Sequence, residues 1–184
     1  EILFALGAGN RVVGVTTYCN YPEEAQSREK IGGFSSPSLE KIIALQPDLV
    51  IVSNDKQQTL IQGLDNAGVP VMAFSPESID ETMATIKLIG QATGNNAAAA
   101  TLNDDLQKRI DAVAARVKTI PETQRLRVYY ELWYEPLMSA GPNTLAGDLI
   151  EKAGGKSITA DAKEDYPEFS EEVILSRDPQ VMLH

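Results

Sequence analysis

The chain has 184 residues, 43% of them hydrophobic and 23% charged, with 16 Lys and Arg against 26 Asp and Glu for a formal net charge of −10. That composition excludes a disordered or fibrous chain, and the negative field repels phosphate backbones and anionic lipid, which argues against nucleic acid as a partner. One cysteine, Cys19, forbids an intrachain disulfide, and one histidine, His184, leaves neither a histidine-rich metal site nor a Ser-His-Asp relay.

The opening stretch Glu1–Gly9 reads as the last turns of a helix ending in a glycine cap, with no N-cap residue ahead of it. The far end, Val181-Met182-Leu183-His184, is strand-like. Both ends are therefore expected to be cut, with any signal segment outside this chain. No apolar run approaches the ~20 residues of a membrane-spanning helix. In chain order, Arg11–Tyr18 is β-branched and apolar enough for a strand, followed by a polar stretch from Cys19 to Arg28. Ser36-Pro37-Ser38-Leu39-Glu40 carries an N-cap candidate, a proline at the first helical position and an acidic first turn. Pro47 stops that helix, and Leu49–Val52 is a continuous apolar run of the kind buried on both faces of a parallel sheet.

Leu60, Ile61 and Leu64 mark a helix capped by Gly68, and Val69–Phe74 a strand. Ser78 and Glu81 form a capping box for a helix that Gly94 closes. From Asn95 to Lys118 one long helix is expected, with Leu102, Leu106, Ile110, Val113 and Val117 in a single stripe. It has no internal glycine or proline, so little movement between the flanking parts is expected. Arg127–Leu132 restarts a sheet, Leu145–Lys152 is a short helix backed by Gly154-Gly155, and Ser170 opens another. The fold class is α/β: two Rossmann-like lobes with parallel sheets, 1–94 and 121–184, joined by a backbone helix over 95–120.

An internal repeat carries the architecture. Residues 38–52 match residues 170–184 without a gap at a constant offset of 132. Serine, the apolar pair of the second turn, the proline that ends the helix and the apolar strand all coincide, as do Glu40 with Glu172 and Phe34 with Tyr166. Two related lobes imply a cleft, and an aromatic ring ahead of each repeated helix suits a flat, largely apolar ligand held from both sides. Tyr18, Phe34, Trp133 in the loop Trp133-Tyr134-Glu135-Pro136, Met138 and Tyr166 are the ligand-binding candidates. Taken singly, each ring has core or inter-lobe packing as its alternative role.

Val13–Ala25, Ile31-Gly32-Gly33-Phe34 before Pro37–Ile42, Gln46–Val50, Gly141-Pro142-Asn143-Thr144, Ala153-Gly154-Gly155 and Ser176–Pro179 together resemble the substrate-binding proteins of cobalamin and iron-chelate ABC importers. The Tyr21-Pro22-Glu23-Glu24-Ala25 stretch leans towards the cobalamin branch. The resemblance implies an extracytoplasmic protein, periplasmic or at the cell surface with a lipid anchor as one option. Such a protein binds a corrinoid, a ferric siderophore or haem as ligand, uses no catalytic cofactor or metal, and does not itself span the membrane. It implies that Tyr18, Phe34, Met138 and Tyr166 line the cleft, Phe34 and Tyr166 replacing tryptophans of that branch, as Ser53 replaces another. It implies further that Glu40 and Glu172 dock on arginines of the permease subunits, and that remaining cleft contacts follow His184.

Two other classes compete. Gly7-Ala8-Gly9-Asn10 is a weak half of a dinucleotide loop, lacking a third glycine and a preceding strand. A non-transport α/β enzyme would need an acid, base or nucleophile with a partner, and Cys19 and His184 have none nearby in sequence. A scaffold without a small ligand is the third possibility.

Overall fold

Strand and helix alternate through the computed structural model, which describes residues 1–52 and 57–184. The chain divides into two compact units, one of residues 1–75 and 85–102, the other of 76–84 and 103–184. The sheets are parallel within each unit apart from one hairpin.

In the first unit, α1 (Ile2–Ala5) ends where Gly7 turns left-handed at φ +76°, a conformation that glycine adopts without a Cβ clash. The strand expected over Arg11–Tyr18 is shorter. Gly9–Arg11 form a 3-10 turn, and β1 (Gly14–Val15) runs parallel to β2 (Glu29–Lys30). Arg11 leaves the strand pattern because its guanidinium donates to the Thr93 carbonyl at 2.8 Å, satisfying a helix-end acceptor. Helix α2 (Leu39–Ala44) is capped by Ser38, whose Oγ accepts from the Lys41 N–H at 3.2 Å. The expected cap was Ser36 with Pro37 inside the helix. Pro37 instead bridges Gly32 ahead of the cap, and the Ser38 N–H donates to the Ile31 carbonyl at 2.7 Å, which holds Ser38 extended.

Strand β3 (Val50–Val52) then pairs in parallel with β4 (Val71–Ala73), Val50 opposite Val71. Helix α3 (Gln58–Asn66) lies between them in sequence. Helix α4 (Ile79–Ala92) starts at the expected box, though only half of it forms as expected. The Glu81 N–H donates to Ser78 Oγ at 3.2 Å, while the Glu81 carboxylate accepts from the Glu77 N–H at 2.8 Å. The long helix α5 (Asn96–Val117) covers 22 residues. It passes close to α4 at Gly90, where a Cβ would stand 2.5 Å from that of Ala99. Of its expected stripe, Leu102, Leu106, Ile110 and Val117 are half-buried and Val113 is exposed.

In the second unit β5 (Arg127–Tyr130) is the centre of a parallel sheet, flanked by β8 (Lys156–Ser157) and β9 (Val181–Leu183). Between β5 and β8 come the hairpin β6 (Trp133–Tyr134) and β7 (Leu137–Met138), and helix α6 (Leu145–Lys152). Strand β8 was missed in the sequence because two residues, one of them Lys, carry no alternation to read. Tyr129, Ile158 and Ile174 make the buried core, with Leu137 and Phe169 packed against it. Helix α6 is capped by the buried Thr144, whose hydroxyl donates to the Gly141 carbonyl at 2.8 Å and accepts from the Gly147 N–H at 3.1 Å.

The repeat seen in sequence is a repeat in structure. Helix α7 (Glu171–Arg177) is capped by Ser170 as α2 is by Ser38. Ile42 and Ile174, one offset apart, are both buried. Gln46 and Asp178, also one offset apart, are the two non-glycine residues with positive φ among the described residues, each at +48°. A left-handed residue before proline ends each helix and turns the chain into its strand.

Arg177 ties α7 to the loop behind β8. Its guanidinium donates to the Ile158 carbonyl, forms a two-point ion pair with Asp161 at 2.5 and 3.1 Å, and lies 5.2 Å over the Phe169 ring. The hydrogen bond from Arg177 holds the Asp161 carboxyl below its ordinary value. A carboxylate with a lowered folded value stabilises the fold above its unfolded value and loses that contribution as pH falls through the lowered one. Thermal unfolding of wild type and Asp161→Asn should therefore differ by a constant amount from neutral pH down to about pH 5, with the gap closing in stronger acid. A gap that widens in acid would contradict this assignment.

Gly141 gives a second prediction. Its N–H donates to the Asp165 carbonyl at 2.7 Å, and a Cβ there would stand 2.3 Å from the Glu164 carbonyl oxygen, a backbone atom that cannot swing away. Gly141→Ala should destabilise the second unit by about 1–3 kcal/mol, read by denaturant unfolding.

Candidate ligand-binding and docking residues

In the first unit the strand ladder continues past β1, the Thr17 N–H donating to the Gly32 carbonyl at 2.9 Å, and this delivers Tyr18 to the strand end. There its side chain is 75% exposed. Gly32 has φ +119°, and a Cβ on it would lie 2.7 Å from the Ser36 carbonyl oxygen, so glycine alone closes the loop from 33 to 36. That tight loop carries Phe34, 46% exposed, and a Cβ on the neighbouring Gly33 would stand 4.0 Å from the Tyr18 ring. Tyr18 and the Phe34 loop thus lie side by side. Gln57 braces the loop, its Nε2 donating to the Phe34 carbonyl at 2.7 Å. Sequence reasoning did not single out Gln57, since nothing local marks a glutamine that acts 23 residues away. Ser53 lies outside the described residues.

In the second unit the hairpin sets Trp133 directly opposite Met138. The far side of β7 is paired too: Met138 bridges Glu168, the Phe169 N–H donates to the Leu137 carbonyl at 2.9 Å and the Ser139 N–H to the Pro167 carbonyl at 3.0 Å. Tyr166 sits on this third segment, two residues before Glu168. Three short antiparallel segments therefore gather Trp133, Met138 and Tyr166 on one platform, with Met138 half-buried and the two rings exposed. Tyr134 extends it, stacked on Trp133 with ring centroids 5.9 Å apart and planes at 29°. The Trp133 indole N–H donates to the Glu135 carbonyl at 3.0 Å, which fixes the ring across the turn. Beneath, Ser139 and Thr159 are fully buried and anchor the platform, the Ser139 hydroxyl donating to the Tyr130 carbonyl at 2.7 Å and that of Thr159 to the Ala140 carbonyl at 2.5 Å.

Two sets of apolar and aromatic side chains thus exist, the exposed Tyr18 with Phe34 on one unit and the exposed Trp133 and Tyr166 with the half-buried Met138 on the other. Exposed rings on tightly braced loops suit contact with an apolar, flat molecule at little cost in side-chain entropy. Glu40 and Glu172 stand in the first turns of α2 and α7, both exposed. The Glu172 carboxyl is held below its ordinary value, first by a hydrogen bond from Ser170 and then by its own backbone N–H. Among the described residues no cluster of His, Cys, Asp and Glu could hold a metal ion, and no helix is long and apolar enough to cross a membrane.

Comparison with known proteins bears on the family and the fold. The family model described as "Periplasmic binding protein" matches residues 1–184. A "Cobalamin-binding protein" of Halobacterium salinarum is 38% identical over 190 residues, covering 100% of this chain and 50% of the relative, so the chain spans about half the length of that curated relative. Among solved structures, the periplasmic vitamin B12 binding protein BtuF of Vibrio cholerae superposes with a TM-score of 0.86 at 25% identity, over 99% of this chain and 71% of that one. The periplasmic heme-binding protein RhuT from Roseiflexus sp. RS-1 in apo form gives a TM-score of 0.85 at 30% identity over the same shares. With a family match over its whole length, and a fold of parallel α/β units carrying exposed aromatic platforms, the chain belongs to the periplasmic binding protein family.

Proposed function

We propose that this chain is part of the extracytoplasmic binding component of an ABC importer, that its ligand is a corrinoid, foremost cobalamin, and that it hands this ligand to the permease without covalent chemistry. The observation that carries the reading is the 38% identity, along the entire chain, to a cobalamin-binding protein. The two exposed aromatic sets support it. A corrin ring is broad, flat and apolar on its faces, and affinity for it comes from area covered by rings that need not rearrange. Haem is the second reading, supported by the likeness to the heme-binding protein RhuT. Ferric siderophores follow, and a lipid anchor is one means of holding the protein at the cell surface.

Trp133 is the single tryptophan of this chain and lies within the proposed contact set, so the part of the full-length protein's fluorescence that Trp133→Phe removes is the direct probe. Titration of the full-length protein with cobalamin, cobinamide and haem should quench it, with cobalamin binding tightest. Tyr18→Ala and Tyr166→Ala should each weaken cobalamin binding by about 1–3 kcal/mol. Unchanged affinity in both variants removes these rings from the site, and tighter binding of haem promotes the second reading.

Glu40 and Glu172 are proposed as the permease-docking pair. They occupy equivalent positions of the two repeats, and their carboxylates fit the planar, two-pronged guanidinium of arginine. The helix dipole alone favours an acid in a first turn, and Glu171 would serve it as well as Glu172. Docking adds a requirement at one position of each repeat. The double reversal Glu40→Lys with Glu172→Lys should abolish import and permease binding while cobalamin affinity and Tm stay unchanged. Normal transport by that variant, or a parallel loss of ligand binding, would refute the docking role.

A further inference from the structure

Resting on the docking role just proposed, we infer that each docking carboxylate works with an apolar side chain one helical turn further on. The footprint on each unit is then a pair, Glu40 with Ile43 and Glu172 with Leu175. The partner it fits is a protein surface presenting a guanidinium bordered by apolar side chains.

The pairing is visible in each unit by itself. Ile43 and Leu175 are one repeat offset apart, as Glu40 and Glu172 are. Both are exposed, Ile43 at 39% and Leu175 at 76%, whereas the preceding residues Ile42 and Ile174 are buried. At 100° per residue, Ile43 stands roughly 60° round the helix from Glu40, whereas Ile42 stands roughly 160° from it in the same direction, almost diametrically opposite. The carboxylate and the exposed apolar group therefore share the outward face of α2, and the same holds for Glu172 and Leu175 on α7. Residues three apart on a helix are neighbours. Ile42 and Ile174 fill the inward stripe, and Leu175 in particular leaves most of its apolar surface in water.

The chemistry explains why a carboxylate would need such a neighbour. A fully solvated ion pair contributes little, because water and salt screen it. Covering the pair with apolar surface excludes water, strengthens the charge-assisted bonds and adds the burial of the apolar group itself. The partner is fixed by complementarity: ionised carboxylates on a chain of net charge −10 select a basic group, and the adjoining Ile or Leu selects an apolar border. A glutamate carboxyl is ionised through the neutral range in any case, and the hydrogen bond from Ser170 favours the charged form of Glu172 further.

The test uses the full-length protein loaded with cobalamin and its importer reconstituted in lipid nanodiscs. Ile43→Ser and Leu175→Ser are measured singly and together beside Glu40→Ala and Glu172→Ala. Binding to the nanodisc complex, cobalamin affinity, Tm and sedimentation are read for each. The double serine variant should bind the importer about tenfold or more weakly, with the other three readouts unchanged. If the alanine variants weaken docking and the serine variants do not, the apolar half is wrong and the docking role stands. If neither set weakens docking, both fall. A drop in Tm for the serine variants means that these side chains are covered by their own polypeptide, and a change in sedimentation means that a second copy covers them. Either result overturns the inference.

Discussion

Helices of six and seven residues do not hold in water by themselves, because nucleating a turn costs more than so few hydrogen bonds return. Everything at the candidate sites depends on how α2 and α7 escape that limit. Each is closed at one end by a serine hydroxyl, at the other by a left-handed residue before proline, and each buries one isoleucine beside a parallel strand. With the helix fixed at both ends, the loop ahead of it and the first turn within it are fixed as well. That is how Phe34 and Tyr166, four residues ahead of the caps, and Glu40 and Glu172, two residues behind them, acquire defined positions.

The same economy governs the aromatic platforms. Phe34 projects from a loop that closes only because Gly32 has no side chain to strike the Ser36 carbonyl, and Tyr18 stands beside that loop at a strand end. Trp133, Met138 and Tyr166 project from three antiparallel segments held by backbone hydrogen bonds and by the buried hydroxyls of Ser139 and Thr159. In both cases rings left in water are carried on backbone that has little freedom. A binding surface of this kind loses little entropy when a rigid ligand settles on it, so contact area converts more directly into affinity.

Charge plays a different role from apolar contact. Ion pairs that brace the second unit, such as Arg177 with Asp161 and Lys152 with Asp80, join surface side chains and act mainly by fixing loops. In the functional reading, Glu40 and Glu172, which form no ion pair among the described residues, are available to a partner. Apolar surface would then decide which ligand is held, and charge which membrane complex receives it.

The repeat, the serine caps, the glycine stops and the parallel α/β class were legible in the sequence, because each rests on local chemistry: hydroxyl reach, Cβ sterics, and the period of apolar residues. The long helix of 95–118 was legible to within a residue at each end, since its stripe sustains one period over about four turns. What local chemistry could not decide was set by long-range pairing. The serine that caps α2 is Ser38 and not Ser36, because the bond from its own N–H to Ile31 places it. Arg11 belongs to no strand because Thr93, far along the chain, offers it a carbonyl. Strand β8 and the bracing by Gln57 likewise exist only through partners distant in sequence. The sequence by itself thus determined which segments become helices and which residues stay exposed beside their caps. Only the tertiary structure decided which exposed rings stand together, because that follows from hydrogen bonds closed across loops whose ends the sequence does not mark.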